Sequence, residues 1–235
     1  MFNVSDIGVL YNSEYLGKAD DSYVWNEKQN NPNALAKVEF VFKGGVICFI
    51  KSGLLDKMKN AYRINDSSAL MLRKICDGLL FLDRGEEHYF VVLEIKSRFG
   101  DVKNIAINQI PASYVKAKSI LNDFLSYNKS DYKEFGLIVS YPYMPLSNTD
   151  SEKNPVVMEY KKKMTEDKNE IITSKYNTML RDNLSAVFLG SDFEFDKMTQ
   201  VKQDLFFDKL KVKHYPVPNH CVNAVIDLDD VIETL

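Results

Sequence analysis

Three charged residues lie at the ends of two neighbouring apolar segments in the first half of the chain. Asp77 precedes the apolar residues 79–82, and Glu94 and Lys96 follow the apolar residues 89–93. The connection between the segments is polar and contains a glycine, which predicts an antiparallel hairpin. Because both segments are almost uninterrupted by polar residues, we expect both faces of the hairpin to be buried.

This hairpin would bring two carboxylates and an ammonium group to one end of a buried sheet. Side chains alternate along a strand, so Glu94 and Lys96 point to the same face, beside Asp77. Buried charge is costly, and two close carboxylates repel each other unless a hard divalent cation binds both. Such an ion and a lysine together are suited to phosphodiester hydrolysis. The alternative is that Asp77 is a turn residue and that Glu94 and Lys96 form an ordinary ion pair.

The pattern of Asp77 and Glu94-Ile95-Lys96 resembles the PD-(D/E)XK phosphodiesterase superfamily, which has the restriction-endonuclease-like fold. Its core is a helix, three antiparallel strands, a helix and a further strand, with the Asp on the second strand and the (D/E)-x-Lys on the third. A helical segment to about Tyr127 and an apolar strand over residues 135–141 follow here in that order. The resemblance covers roughly residues 37–141.

The resemblance implies a magnesium site for which manganese could substitute. Asp77, Glu94 and the carbonyl of Ile95 would be the metal ligands, and Lys96 would be the catalytic lysine. Cys76 replaces the proline that names the superfamily, at a position that varies among its members.

Two further features of the superfamily are matched only in part. Many members add an acidic ligand from an upstream helix, and both Glu14 and Glu39 remain candidates for it. The RecB-type nucleases carry a Gln-x-x-x-Tyr element on the helix after the lysine. Here Gln109 and Tyr114 are one residue further apart than that element requires.

The charge distribution favours a nucleic-acid substrate near these residues. The chain has a net charge of −3, but residues 51–120 carry twelve Lys or Arg and eight Asp or Glu. A local positive charge attracts a phosphate backbone, although a solvated surface of mixed charge would look similar. The expected nucleic-acid contacts are Lys74, Arg98, Gln109, Lys116 and Lys118.

The remaining pattern predicts one α/β domain, residues 1–235, with a mixed central sheet flanked by helices and a C-terminal elaboration over about residues 146–235. Upstream, we expect a hairpin over residues 36–51 that turns at Gly44 and Gly45, and a partly helical region over residues 53–74. The last part is expected to extend the same sheet, with strands at 185–189 and 222–227 and a helix over residues 195–210.

Composition excludes several other classes. Three cysteines without paired spacing give no disulfide framework, and a set of His214, His220 and Cys221 lacks a fourth zinc ligand. No apolar run approaches the ~18 residues of a membrane span, and the first residues do not resemble a signal peptide. We therefore expect a cytoplasmic protein with no membrane partner.

Two functions from different classes follow. The first is a magnesium-dependent nuclease, with DNA favoured over RNA and endonucleolytic cleavage favoured, in a bacterial defence or restriction role by analogy with the superfamily. The second is a non-catalytic module of the same fold that binds nucleic acid or protein. A symmetric cut through a duplex would favour a homodimer, but the sequence leaves the oligomeric state open.

Overall fold

The computed structural model describes residues 6–26, 34–59, 72–96, 107–141, 185–193, 202–218 and 221–235. These residues form a mixed α/β structure around one eight-stranded sheet. The elements are, in chain order, α1 (Ile7–Leu10), β1 (Leu16–Asn26), β2 (Lys37–Lys51), α2 (Ser52–Lys59), β3 (Gly78–Arg84), β4 (Glu87–Lys96), α3 (Ile107–Leu121), β5 (Lys133–Ser140), β6 (Ser185–Leu189), β7 (Lys209–Pro216), β8 (Asn223–Asp227) and α4 (Leu228–Glu233).

The sheet combines an antiparallel half with a parallel one. Its strand order is β1-β2-β3-β4-β5-β7-β6, with β8 pairing in parallel with the first part of β2. Strands β1 to β4 are antiparallel neighbours, whereas β5 is parallel to β4 and β7 is parallel to β5. Helix α3 lies between β4 and β5 in the chain, as a parallel pair requires a crossover. The mixed central sheet with helices that the sequence predicts is therefore present.

The hairpin of β3 and β4 is confirmed. Its register runs from Gly78 opposite Leu93 to Arg84 opposite Glu87. Gly85 in the turn has a φ of +60°, a conformation that glycine adopts without steric cost. All residues of β4 between its two ends are buried, as are the first five of β3. Both faces of the hairpin are covered, as expected for its continuous apolar segments.

The hairpin predicted at Gly44 and Gly45 is wrong, because β2 is one 15-residue strand. Its pairing with β1 shifts there: Asp20 is opposite Val46 and Ser22 is opposite Val41, so Asp21 alone faces residues 42–45. Gly44 has a φ of +68° and Asp21 a φ of 59°, and the Gly44 N–H donates to the Asp21 carboxylate at 2.7 Å. The glycines form a bulge that bends both strands, and not a chain reversal.

The sheet has a hydrophobic core on each face. Helices α2 and α3 cover one face, where Phe90, Val92 and Ile138 pack with Tyr114 of α3. Helix α4 covers part of the other face, where its buried Val231 joins a cluster with Leu93 and Val139. Successive residues of β4 thus point to opposite cores, and the even-numbered positions face α3.

The C-terminal region extends the sheet, as expected, but through different elements. Strands β6 and β8 agree with the predicted strands. The helix predicted over residues 195–210 is wrong at its end, because Lys209 already belongs to β7. The expected insert at 146–184 lies outside the described residues, as does most of the predicted helical region after Lys59. Within the described part of the chain, no helix is long and apolar enough to cross a membrane.

Candidate metal and catalytic site

Asp77 is fixed at the end of the β3–β4 ladder. Its N–H donates to the Leu93 carbonyl at 3.1 Å, and its carboxylate accepts a hydrogen bond from the Ile95 N–H at 2.7 Å. Continuing the register from Gly78 opposite Leu93 places Asp77 opposite Glu94. The two carboxylates predicted from the sequence therefore lie side by side at one end of the sheet.

Glu94 is fully buried and forms an ion pair with Lys96, whose side chain is 17% exposed. Both side chains occupy the face of β4 that α3 covers, because Phe90 and Val92 belong to the core on that side. Beyond this ion pair and a backbone hydrogen bond from Asp77, the part of the chain that the structure describes offers the Glu94 carboxylate no further partner. A fully buried carboxylate with spare acceptor capacity is unusual in a native structure.

The pKa values of both carboxyls are shifted in the same direction. Burial raises the pKa of Glu94 well above its ordinary value, the neighbouring Asp77 carboxylate raises it further, and the Lys96 ammonium opposes both effects. Burial also raises the pKa of Asp77, while Lys96 and the Ile95 N–H lower it. Lys96 thus compensates the two negative charges only in part. The site favours additional positive charge.

Helix α3 holds the segment that leads into Asp77 through three side chains that sequence reasoning did not assign to this role. They are spaced at positions 109, 113 and 116, on one face of the helix. Gln109 donates from Nε2 to the Ile75 carbonyl, the Cys76 N–H donates to Ser113 Oγ at 2.7 Å, and Lys116 Nζ donates to the Lys74 carbonyl at 2.6 Å. The helical spacing of these three residues could be read from the sequence. It does not reveal that their partners are backbone groups of residues 74–76.

The prediction that Lys116 and Lys118 contact nucleic acid is corrected. Both are fully buried, because α3 is covered on nearly all sides and offers them no solvent-facing position. Lys118 pairs with Glu134 at 2.7 Å; burial lowers the pKa of Lys118 and Glu134 opposes that shift. Of the other expected contacts, Lys74 is exposed beside the site and Arg98 lies outside the described residues.

The structure places the two candidates for an upstream acidic ligand, Glu14 and Glu39, at different parts of the sheet. Glu14 precedes β1, and its backbone carbonyl accepts a hydrogen bond from Lys51 Nζ at 2.8 Å. Lys51 pairs with Gly78, next to Asp77, so Glu14 is on the same end of the sheet as Asp77. Glu39 lies in the first section of β2, where it pairs with Val24 and Val225.

Two further polar residues lie on the neighbouring strands β5 and β7, near the register positions of Glu94 and Lys96. Ser140 pairs with Lys96, and His214 is in register with Ile138, itself the partner of Glu94. The Ser140 hydroxyl and His214 Nε2 are 2.9 Å apart, and His214 Nδ1 is buried with no hydrogen-bond partner among the described residues. Burial lowers the pKa of His214 to about 4, so the ring is neutral at neutral pH. The sequence placed His214 only in a zinc set, whose His220 lies outside the described residues.

Comparison with protein-family models, curated proteins and solved structures found no match to this chain. Among the described residues, no group of three or more His, Cys, Asp and Glu side chains is arranged to hold a metal ion. The geometry itself therefore defines the site: two adjacent carboxylates of raised pKa and one lysine at one end of a mixed sheet.

Proposed function

We propose that this protein is a magnesium-dependent nuclease of the PD-(D/E)XK type that hydrolyses phosphodiester bonds of DNA. The observation that carries the proposal is the Glu94 carboxylate, which is fully buried, lies beside Asp77, and has among the described residues only its ion pair with Lys96 and a backbone hydrogen bond from Asp77. Such a group is costly to bury unless a further cation binds it. The Glu94 oxygens have the acceptor capacity that a divalent ion would use.

The residues present fit magnesium. This ion prefers oxygen ligands and is usually held by one or two carboxylates together with substrate phosphates, and not by an all-protein cage. Asp77, Glu94 and the Ile95 carbonyl would hold it, which agrees with the lack of a larger ligand group among the described residues. Manganese, which has similar ligand preferences, should substitute.

The chemistry divides between the ion and the protein. Bound magnesium would supply Lewis acidity toward a phosphoryl oxygen and a lower pKa for the attacking water. Lys96, held against Glu94, would orient that water and offset negative charge that develops on the phosphate. The Ile95 N–H keeps the Asp77 carboxylate in place. Preorganisation of this kind avoids reorienting the groups during the reaction.

The arrangement of elements supports the restriction-endonuclease-like assignment. Strands β2, β3 and β4 form an antiparallel meander, Asp77 precedes the second, and Glu94 and Lys96 end the third. Helix α3 and the parallel strand β5 follow. One difference is that α2 lies between the first and second strands of this meander. A defence or restriction role remains an analogy at the level of the fold.

A non-catalytic module that binds nucleic acid or protein is the second candidate. The observation that favours it is the Glu94–Lys96 ion pair, since a lysine that is engaged by its neighbour can have a structural role alone. The two candidates differ in what the acidic residues do, and a substitution of Asp77 separates them.

Asp77→Asn tests the proposal. We expect the variant to fold and to lose cleavage of supercoiled plasmid DNA, because the amide removes one negative ligand. Magnesium should raise the melting temperature of the wild type but not of the variant, since a ligand that binds the native state stabilises it. Asp123→Asn is the matched control, because Asp123 is exposed and contacts Tyr11. An equal magnesium shift in all three proteins would overturn the metal site.

A further inference from the structure

The bend in β1 and β2 folds part of the sheet back over its own face. Tyr23 pairs with Phe40 in the ladder, and Phe49 pairs with Gly17, yet the rings of Tyr23 and Phe49 stack with their centroids 3.7 Å apart. Two residues that are distant in register can meet only if the strands double back. The space left between the two halves is a cleft lined by residues of β1, β2, β3 and β4.

This cleft has a volume of about 360 Å³, within the usual range of small-ligand sites. Its lining divides into an aromatic and aliphatic wall and a polar group. The wall includes Tyr23, Trp25, Phe49, Leu80 and Leu93, and the polar group consists of Asn26, Lys51, Ser52 and Asp77. The candidate metal ligand Asp77 therefore also lines a cleft that none of the steps above uses.

We propose that the cleft takes one unpaired nucleobase of the nucleic-acid substrate, with the attached phosphate beside Asp77. This inference rests on the proposed function and specifies its substrate: a single strand, or a nucleotide displaced from a duplex. An apolar, aromatic-lined space suits the face of a base, and stacking on aromatic side chains is how proteins hold unpaired bases. A paired duplex does not fit a space of this size.

The charges around Asp77 agree with a phosphate at the polar part of the cleft. Lys51 is exposed, pairs with Gly78 in the ladder, and so is adjacent to Asp77. Lys74 is exposed on the segment that leads into Asp77. Lys51 lines the polar part of the cleft and Lys74 is three residues before Asp77 in the chain. Positive charge on these residues favours an anion such as a phosphate there.

The only tryptophan of the chain, Trp25, lines this cleft and provides a direct signal. The experiment is a fluorescence titration of the wild-type protein in EDTA, where no cleavage occurs, with three probes: oligothymidylate, an abasic strand of equal length, and a blunt duplex. We expect quenching by oligothymidylate, with an affinity about tenfold higher than that of the other two probes. Equal quenching by the abasic strand, or none by any probe, would overturn the inference.

A substitution that fills the cleft provides a second, independent measurement. Leu80→Phe adds volume to its wall and should weaken oligothymidylate binding about tenfold while the protein stays folded. Leu125→Phe is the control, since Leu125 is fully exposed and does not line the cleft. If Leu80→Phe does not fold, the abasic comparison in the wild type still decides the matter.

The outcomes also separate this inference from the proposed function. Quenching by oligothymidylate in a protein that never cleaves DNA would support the cleft and refute the nuclease. Cleavage that depends on Asp77 in a protein whose Trp25 fluorescence responds equally to all three probes would support the nuclease and refute the cleft.

Discussion

At the scale of single residues, Glu94 shows the tension between stability and function most clearly. Burying an ionised carboxylate beside a second one destabilises the folded protein, and Lys96 offsets only part of that cost. A divalent ion would remove the remainder. When no ion is bound, both carboxyl groups bind protons more readily than they would in water, because burial raises the pKa of each.

The first residue-scale prediction concerns the pH dependence of stability without metal. The folded-state pKa of Glu94 lies above its unfolded value, so the native state binds more protons and stability falls as pH rises from about 4.5 through the folded pKa. Glu94→Gln should flatten this decline in EDTA, since the amide does not ionise. Thermal melts at several pH values measure it. A wild-type melting temperature that rises over this window would contradict the assigned shift.

The second residue-scale prediction separates the chemistry from binding. Lys96→Ala should lower the single-turnover cleavage rate at least about a hundredfold while it keeps most of the affinity for DNA, because Lys96 acts at the reacting phosphate. Lys74→Ala should instead weaken binding and reduce its salt dependence, since Lys74 is exposed beside the site. Lys202→Ala is the control on a different exposed segment. Cleavage by Lys96→Ala at the wild-type rate would favour the non-catalytic module.

The site residues that could be predicted from the sequence lie close together in the chain, whereas those that were missed lie on elements distant in sequence. Asp77, Glu94 and Lys96 stand at strand ends of one hairpin, so alternation and a turn bring them together. Ser113 and His214 reach the same end through α3 and β7, whose packing no short motif encodes. Lys116 was misplaced because a lysine is normally solvated, whereas this one satisfies a buried carbonyl.

At the scale of elements, α3 is the part that holds the site in position. It crosses over between two parallel strands, and its side chains bond the segment before Asp77. Pro111 is the fifth residue of this helix, so it removes the backbone donor that would bond to the Ile107 carbonyl. A functional role for the helix is therefore indirect: it fixes backbone groups that in turn fix Asp77.

Ser113→Ala tests this indirect role. The change leaves the buried Cys76 N–H without its acceptor and should reduce the free energy of unfolding by about 1–3 kcal/mol. It should also lower the cleavage rate at saturating magnesium, because Asp77 follows Cys76 directly. Ser119→Ala is the matched control, since the Ser119 hydroxyl donates to the Val115 carbonyl within the same helix. A cleavage rate that stays at the wild-type value in both variants would limit α3 to a structural role.

Element prediction succeeded where the hydrophobic pattern was strong. Strands β3, β4 and β5 are continuous apolar segments and were found. Strand β1 was missed because most of it is only half-buried and carries no clear alternation. Strand β7 does alternate, with Leu210, Val212 and His214 buried, but this pattern was overlooked, and the helix predicted over residues 195–210 overlaps its first two residues.

At the scale of the whole molecule, β2 links the two parts of the sheet. Its first section pairs with β8 and its second with β3, while β1 follows it through the bend on both sides. Asp21 and Gly44 lie at the bend beside which the cleft forms. Because one continuous strand belongs to both parts, we expect the two parts to unfold together.

Asp21→Ala should therefore destabilise the molecule as one unit. The change removes the hydrogen bond to the Gly44 N–H and places alanine at a φ of 59°, which together should cost about 2 kcal/mol. Trp25 fluorescence reports the folded-back part and far-ultraviolet circular dichroism reports the whole chain, and we expect their denaturation midpoints to fall together. Asp21→Asn keeps an acceptor and tolerates this backbone conformation, so it should stay near the wild-type midpoint. A Trp25 transition that precedes the circular dichroism transition would show instead that the bend is a separate folding unit, and that the cleft can open while the sheet around Asp77 and Glu94 stays folded.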